Sequence, residues 1–227
     1  MAPGLLLALA QCSCLLLNFD PPGQTEAAAQ PSTKAAESTA ATAQTRLRRA
    51  VARIGNWKAD SQLLNRLGEE TTVEGLKFRP PARYRPFNVP LKAGRASAWI
   101  ERGREQGAAG SIVVSVIPRN PDNHSDLTTI LDRSLGPYKR RYAKDWSRSD
   151  AEQGKLAGLL CARAHWSGTC TEGPKELLGK PMHGIVYVEE CGDKLVQVLI
   201  KGGDPGFERS LPVCETSALT LQKAPDQ

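Results

Sequence analysis

Hydrophobic and polar positions alternate most clearly between Gly184 and Ile200. The first arm reads Gly-Ile-Val-Tyr-Val-Glu-Glu and the second Lys-Leu-Val-Gln-Val-Leu-Ile, around a turn at Cys191-Gly192-Asp193. A Gly-Asp centre between two β-branched, aliphatic arms predicts a β-hairpin. Side chains alternate along a strand, so Ile185, Tyr187 and Glu189 share one face, and Val186 and Val188 the other. In the second arm Leu195, Gln197 and Leu199 face opposite to Val196, Val198 and Ile200. Apolar residues on both faces imply a central hairpin, covered on one side and at least partly on the other.

Further strands follow from the same pattern. Thr72 to Arg79 reads as an edge strand stopped by Pro80-Pro81, with Tyr84 and Phe87 extended among more prolines. Ala96 to Glu101 and Ser111 to Ile117 are strands, the second ended by Pro118. Lys155 to Ser167 reads as one strand with an apolar centre. Two helices stand out behind them. Ser125 is a candidate N-cap for a helix from Asp126 to Leu135, with Leu127, Ile130, Leu131 and Leu135 on one stripe and Gly136-Pro137 as its interruption. Leu211-Pro212 opens a second helix through Ala218, and Leu219 to Gln222 adds a last extended segment. Hairpins with interspersed helices point to an α+β sheet, antiparallel or mixed, and not a doubly wound one.

The region before Thr71 is of another kind. Leu5 to Leu17 is an apolar run whose length suits a signal peptide and is short for a membrane span, although no Lys or Arg precedes it. Residues 1–19 therefore read as a signal peptide or a lipoprotein-type anchor, with Cys12 and Cys14 as lipidation candidates, neither in a full lipobox. Residues 20–45 are rich in Pro, Ala, Gln, Thr and Ser, too poor in large apolar side chains to offset chain entropy, and read as a disordered linker. Residues 46–67 show Leu47, Val51, Ile54, Trp57, Leu64 and Leu67 at helical spacing, an amphipathic helix that docks on the domain behind it or lies on a membrane surface.

The net charge of +6 permits contact with anionic surfaces without specifying nucleic acid. Only 5% of residues are aromatic and no basic-aromatic interleaving occurs, so no nucleic acid partner is expected. Arg46, Arg48, Arg49 and Arg53, with Lys139, Arg140 and Arg141, are candidates for anionic-surface contact, against the plainer reading of solvated basic faces. Tyr138, Tyr142 and Trp146 continue at helical spacing and read as core contacts more readily than as a ligand box.

Gly75-Leu76-Lys77-Phe78-Arg79-Pro80-Pro81, the mid-domain helix followed by the Gly158–Trp166 strand, the hairpin with Gly192-Asp193 at its tip and the helix introduced by Pro212 together resemble the Mog1/PsbP-like family. The resemblance runs over residues 71–222 and implies an α-β-α sandwich around a mainly antiparallel sheet. It also implies a non-enzymatic binding or assembly module with a protein partner it does not identify. The cysteines inside the domain depart from the family pattern.

Those cysteines, Cys161, Cys170, Cys191 and Cys214, are an even number in a chain that reads as exported, which favours two disulfides among three pairings. Each would contribute roughly 2–4 kcal/mol. Cys161 and Cys191 fall on sheet elements, which makes a cross-strand bond feasible and leaves Cys170 with Cys214. The rival reading is a zinc site from Cys161, His165, Cys170 and His183, whose spacings match no zinc signature. His124, His165 and His183 sit in no nucleophile motif, and the adjacent Glu189 and Glu190 point to opposite strand faces. The sequence thus reads as an exported or envelope-associated binding module on the periplasmic face or outside the cell. No cofactor is expected. The alternatives are a small zinc-dependent or thiol enzyme of the envelope, or an anionic-surface binder.

Overall fold

The structure is a computed structural model, described here for residues 55–90, 95–102, 110–119, 125–156, 158–173, 175–203 and 207–223. In chain order it forms β1 (Gly55–Asn56), a 3-10 turn (Leu64–Arg66), β2 (Thr71–Val73), β3 (Leu76–Phe78), β4 (Tyr84–Pro90), β5 (Arg95–Glu101) and β6 (Ser111–Pro118). Helix α1 (Leu127–Arg141) is followed by β7 (Lys144–Arg148), β8 (Glu152–Leu156) and β9 (Leu159–Thr169). The chain continues through β10 (Pro181–Cys191), β11 (Lys194–Gly203), α2 (Phe207–Ala218) and β12 (Gln222–Lys223).

The hairpin forms in the predicted register, with Ile185 opposite Ile200, Tyr187 opposite Val198 and Cys191 opposite Lys194. It sits at the centre of the large sheet, whose order is β1-β8-β9-β10-β11-β6-β5-β4, with β7 pairing the remaining half of β9. Every pairing is antiparallel except β1 with β8. A second, three-stranded sheet runs β12-β3-β2. One edge of the large sheet is β4, where Pro86 and Pro90 offer no N–H to a further strand.

Both faces of the hairpin are covered. Val186, Val188, Leu195 and Leu199 belong to the core under α1, with Leu127, Ile130, Leu131 and Leu135 of that helix. Ile185, Tyr187, Val196, Val198 and Ile200 belong to the core on the opposite face, capped by Phe207, Cys214 and Ala218 of α2 and by Val73, Leu76 and Phe78 of the small sheet. The architecture is an α+β sandwich, as the sequence implied. On the α1 side, Trp166 stacks with Tyr138, Tyr142 and Trp146 at ring-centre distances of 5.4, 5.0 and 5.6 Å. The three aromatics at helical spacing are core contacts, although Trp146 reaches Trp166 from β7 and not from the helix.

The structure corrects several expectations. Residues 57–67 are not an amphipathic helix. Gly55 instead pairs with Gly154 on the sheet edge, and Trp57 lies over Arg163 at 4.4 Å. Residues 46–54 lie outside the described residues. The expected single edge strand at 72–79 is the β2–β3 hairpin, turned at Glu74 and Gly75, which both take positive φ (50° and 81°). Lys155 to Ser167 is likewise split between β8 and β9. Helix α1 runs on through Gly136-Pro137, and its N-cap is Asp126, whose Oδ1 accepts from the Thr129 amide at 2.8 Å. That bond to the backbone amide holds the Asp126 carboxyl below its ordinary range. Helix α2 starts at Phe207, a turn ahead of Pro212.

Gly184 shows how tightly the α1 side is filled. A methyl placed on it would come within 2.5 Å of the Trp166 indole, which Tyr138 and Tyr142 already hold in place. Gly184→Ala is expected to lower unfolding free energy by about 1–3 kcal/mol in urea denaturation, the usual cost of overpacking.

Candidate functional site

Where the closing end of the β10–β11 hairpin meets the small sheet, the two leave a groove of about 850 Å³. Alternation along four strands builds its floor: Leu76 from β3, Val116 from β6, Leu159 from β9 and Val196 from β11. The rim is charged, with Lys77, Lys194 and Lys223 set against Glu74 and Asp193. Lys77 Nζ also contacts Glu70 at 2.9 Å, and Arg95 contacts Glu74 at 3.2 Å. Both are exposed pairs worth little in stability, so they yield readily to a competing charge. The Cys191 thiol lines the groove and is half-buried.

Glu189 is two residues along β10 from the groove residue Cys191 but does not itself line the groove. On the α2 side of the sheet its cross-strand neighbours are Cys161 and Val196, and the next residue of its strand on that face is Cys191. The side chain is 3% exposed and its Oε2 has no hydrogen-bond partner. Burial pushes the carboxyl from an ordinary value near 4.5 up to about 7. Adjacent Glu190 points the other way and pairs with Arg119 at 2.9 Å. Two thiols near or above this face are also held protonated. Cys161 is pushed up by burial first and by Glu189 second. Cys214, bonded to the Tyr84 hydroxyl at 3.2 Å, is pushed up by burial to about 12.

A polar hub stands further along the same face. Arg163 donates through Nε and Nη2 to one Glu152 oxygen at 2.9 and 2.8 Å, and Tyr187 donates to Glu215 at 3.3 Å. Trp57 closes the hub over the Arg163 guanidinium, and Gly154 leaves the room for its ring. Beyond the hub, a smaller cavity of about 320 Å³ is lined by His165, His183, Ser167, Ser149, Phe207 and Glu208 among others. The His183 ring stacks on Phe207, with centroids 6.4 Å apart.

The structure separates most of the residues singled out from sequence. Cys161, Cys170, Cys191 and Cys214 are all free thiols, so the expected disulfides are not formed. Cys170 packs in the core under α1 and Cys214 in the core under α2, with the sheet between them. Cys161 and Cys191 are diagonal neighbours on one face, Cys191 lying two residues beyond the partner of Cys161. The alternative zinc set is not gathered either. His165 and His183 share a cavity, but Cys161 is four residues from His165, about 13 Å along the strand, and Cys170 faces the opposite side. Among the described residues no group of three or more His, Cys, Asp and Glu is placed to hold a metal. No helix among them is long and apolar enough to cross a membrane.

Of the basic candidates, Lys139 and Arg140 are exposed, but Arg141 is buried. The 170–173 turn folds against the end of α1, so Arg141 Nε donates to the Glu172 carbonyl at 3.0 Å and takes no part in a surface. Cys12, Cys14, Arg46, Arg48, Arg49, Arg53 and His124 lie outside the described residues. Sequence reasoning passed over the groove residues Leu159, Lys194 and Lys223, and saw Glu189 only as half of a failed carboxylate pair. Its signal was present: an acid on the same face as Ile185 and Tyr187, in a strand apolar on both sides.

No protein-family model matches the sequence, and no curated protein sequence matches it. Solved structures do. LpqN of Mycobacterium tuberculosis, described as involved in cell envelope biogenesis, is 12% identical with a TM-score of 0.51, over 75% of this chain and 99% of that one. The cyanobacterial PsbP of Synechocystis matches at 13% identity and a TM-score of 0.48, over 68% and 91%. The Ran-binding protein Mog1p of Saccharomyces cerevisiae matches at 14% and 0.47, over 67% and 89%. The chain is Mog1/PsbP-like in fold, and the likeness is one of fold.

The buried Glu189 acid sets a pH dependence. Its folded value near 7 lies above the ordinary 4.5, so the unfolded chain binds fewer protons between the two and stability falls as pH rises through that window. Glu189→Gln keeps the shape without the charge. Relative to this variant, the native protein is expected to lose on the order of 3 kcal/mol between about pH 4.5 and 7, with no further divergence above it. Urea denaturation of both proteins at stepped pH checks this.

Proposed function

We propose that this chain is a non-enzymatic binding or assembly module that seats a protein partner at the groove between the hairpin tip and the small sheet. The groove itself carries the reading: a concave site with an apolar floor and a charged rim. Cys161 and Cys214 are buried and held protonated, which removes the nucleophilic form at these two thiols. Mog1p is a Ran-binding protein and LpqN acts in cell envelope biogenesis, and only their fold comes across.

On the same reading the module is exported and stands off the cell envelope, through the leader at residues 1–19 and the linker at residues 20–45. Anionic-surface binding is the weaker alternative, because Arg141 is buried away from Lys139 and Arg140.

A photo-crosslinking amino acid placed at Leu159, in cells of the source organism, is expected to give one discrete protein adduct in the envelope fraction. The same residue at Lys139, outside the groove, is expected to give none. Equal labelling from both positions, or an adduct confined to the cytosol, would refute the reading.

A further inference from the structure

Strand β1 is unlike the rest of the large sheet. It runs parallel to β8, where every other described pairing is antiparallel, and it pairs through Gly55 and Asn56 alone. β8 is five residues long, so less than half of that edge is covered. Little else ties the segment down. Trp57 is half-buried, and Lys58 and residues 60–62 are exposed. The chain is next fixed at Leu64 and Gly68, whose carbonyls accept from Nη2 and Nε of Arg79.

The place this segment occupies is built without it. Glu152 holds Arg163 at 2.9 and 2.8 Å, Glu215 holds Tyr187 at 3.3 Å, and Gly154 pairs with Cys161 in the β8–β9 ladder. None of these contacts uses residues 55–57, so the site is preorganised. Its features nonetheless match them. The Arg163 guanidinium lies 4.4 Å from the centre of the Trp57 ring, and the Tyr187 ring meets that ring edge-on with centroids 6.0 Å apart. A methyl on Gly154 would come within 2.6 Å of the indole and 2.8 Å of the Gly55 carbonyl. A methyl on Gly55 would crowd the indole Nε1 at 3.0 Å. The site therefore reads a small residue, one further extended residue and an aromatic ring, in a strand parallel to β8.

We infer that residues 55–57 are a releasable strap, holding in cis an edge-strand site on β8 that takes an extended segment of the form small-x-aromatic. The strap opens without unfolding the domain, because its departure leaves the β8–β9 ladder and the Arg163–Glu152 pair whole. Opening uncovers the edge of β8 and the guanidinium to a partner segment of the same form, which adds to the sheet as the strap did. Gly55, Trp57, Gly154, Arg163 and Tyr187 do not line the groove, so the two sites are separate.

The probe is a synthetic peptide of residues 53–60, titrated into isotope-labelled full-length protein and followed by amide NMR shifts. In Trp57→Ala the cradle lacks its ring, and the peptide is expected to shift Gly154, Arg163 and Tyr187. The wild type is expected to bind it about tenfold more weakly, as for a site open about a tenth of the time. Gly154→Val, a residue type suited to a strand, puts carbon where the ring and the Gly55 carbonyl lie. Added to Trp57→Ala, it is expected to abolish the shifts. The same peptide with Trp57→Ala is expected to bind none of the three proteins. In the wild type, amide exchange over residues 55–57 is expected to run about a hundredfold faster than over residues 185–188.

A peptide that binds wild type and Trp57→Ala equally, or neither of them, would overturn the strap. Exchange at residues 55–57 as slow as at the hairpin would make the segment a fixed cover of the sheet edge and overturn its release. A Trp57→Ala protein whose circular dichroism melt shows no folded state would do the same.

Discussion

The fold is governed by one requirement: a hairpin apolar on both faces must be covered on both. Ile185, Val186, Val188, Val198 and Ile200 are each no more than 1% exposed, and no single helix can cover two sides of a sheet. The chain meets the requirement unevenly. One helix, α1, suffices on one side because Trp166 and its three aromatic neighbours fill the space beside it. On the other side α2 covers the end where Phe207 lies against Gly202, and the small sheet covers the end near the hairpin tip. A face covered by two separate pieces has a seam, and the groove opens beside it.

The hairpin, its turn and the division of its residues between two faces were legible because a two-residue turn and strict alternation leave one register that buries the apolar set. Helix ends were less legible, and proline explains both misreadings. Pro137 and Pro212 each deny an N–H to the carbonyl four residues earlier, on Arg133 and Glu208. Both of those residues are exposed, so water can take the abandoned carbonyls while Leu135, Tyr138, Val213 and Cys214 keep the helices packed on the sheet. Local propensity argued for a stop, and tertiary burial outweighed it.

The described part of the expected 46–67 helix, residues 55–67, departs from a helix for a related reason. Its apolar spacing fits a helix, but Gly55 found a partner in Gly154, and Trp57 found a guanidinium, both about a hundred residues away in sequence. No local pattern encodes such a partner. The same holds for the candidate site. Leu76, Val116, Leu159 and Val196 come from four strands of two sheets, and each reads in sequence as an ordinary core position. The cysteines illustrate the converse. Their even number suggested pairing, yet the sheet that runs between Cys170 and Cys214 is a separation no count can reveal.

Packing does not account for Glu189. Replacing it with an apolar residue of similar size would remove a buried carboxyl with an unpartnered oxygen from the sheet, a change that is neutral or favourable for stability in comparable settings. Stability alone therefore gives no reason for an acid there. The hub of Arg163, Glu152, Tyr187 and Glu215, two residues along the same face, is by contrast satisfied within the chain, and Trp57 shields it. One polar group on this face closes on itself, and the other keeps a buried oxygen without a partner.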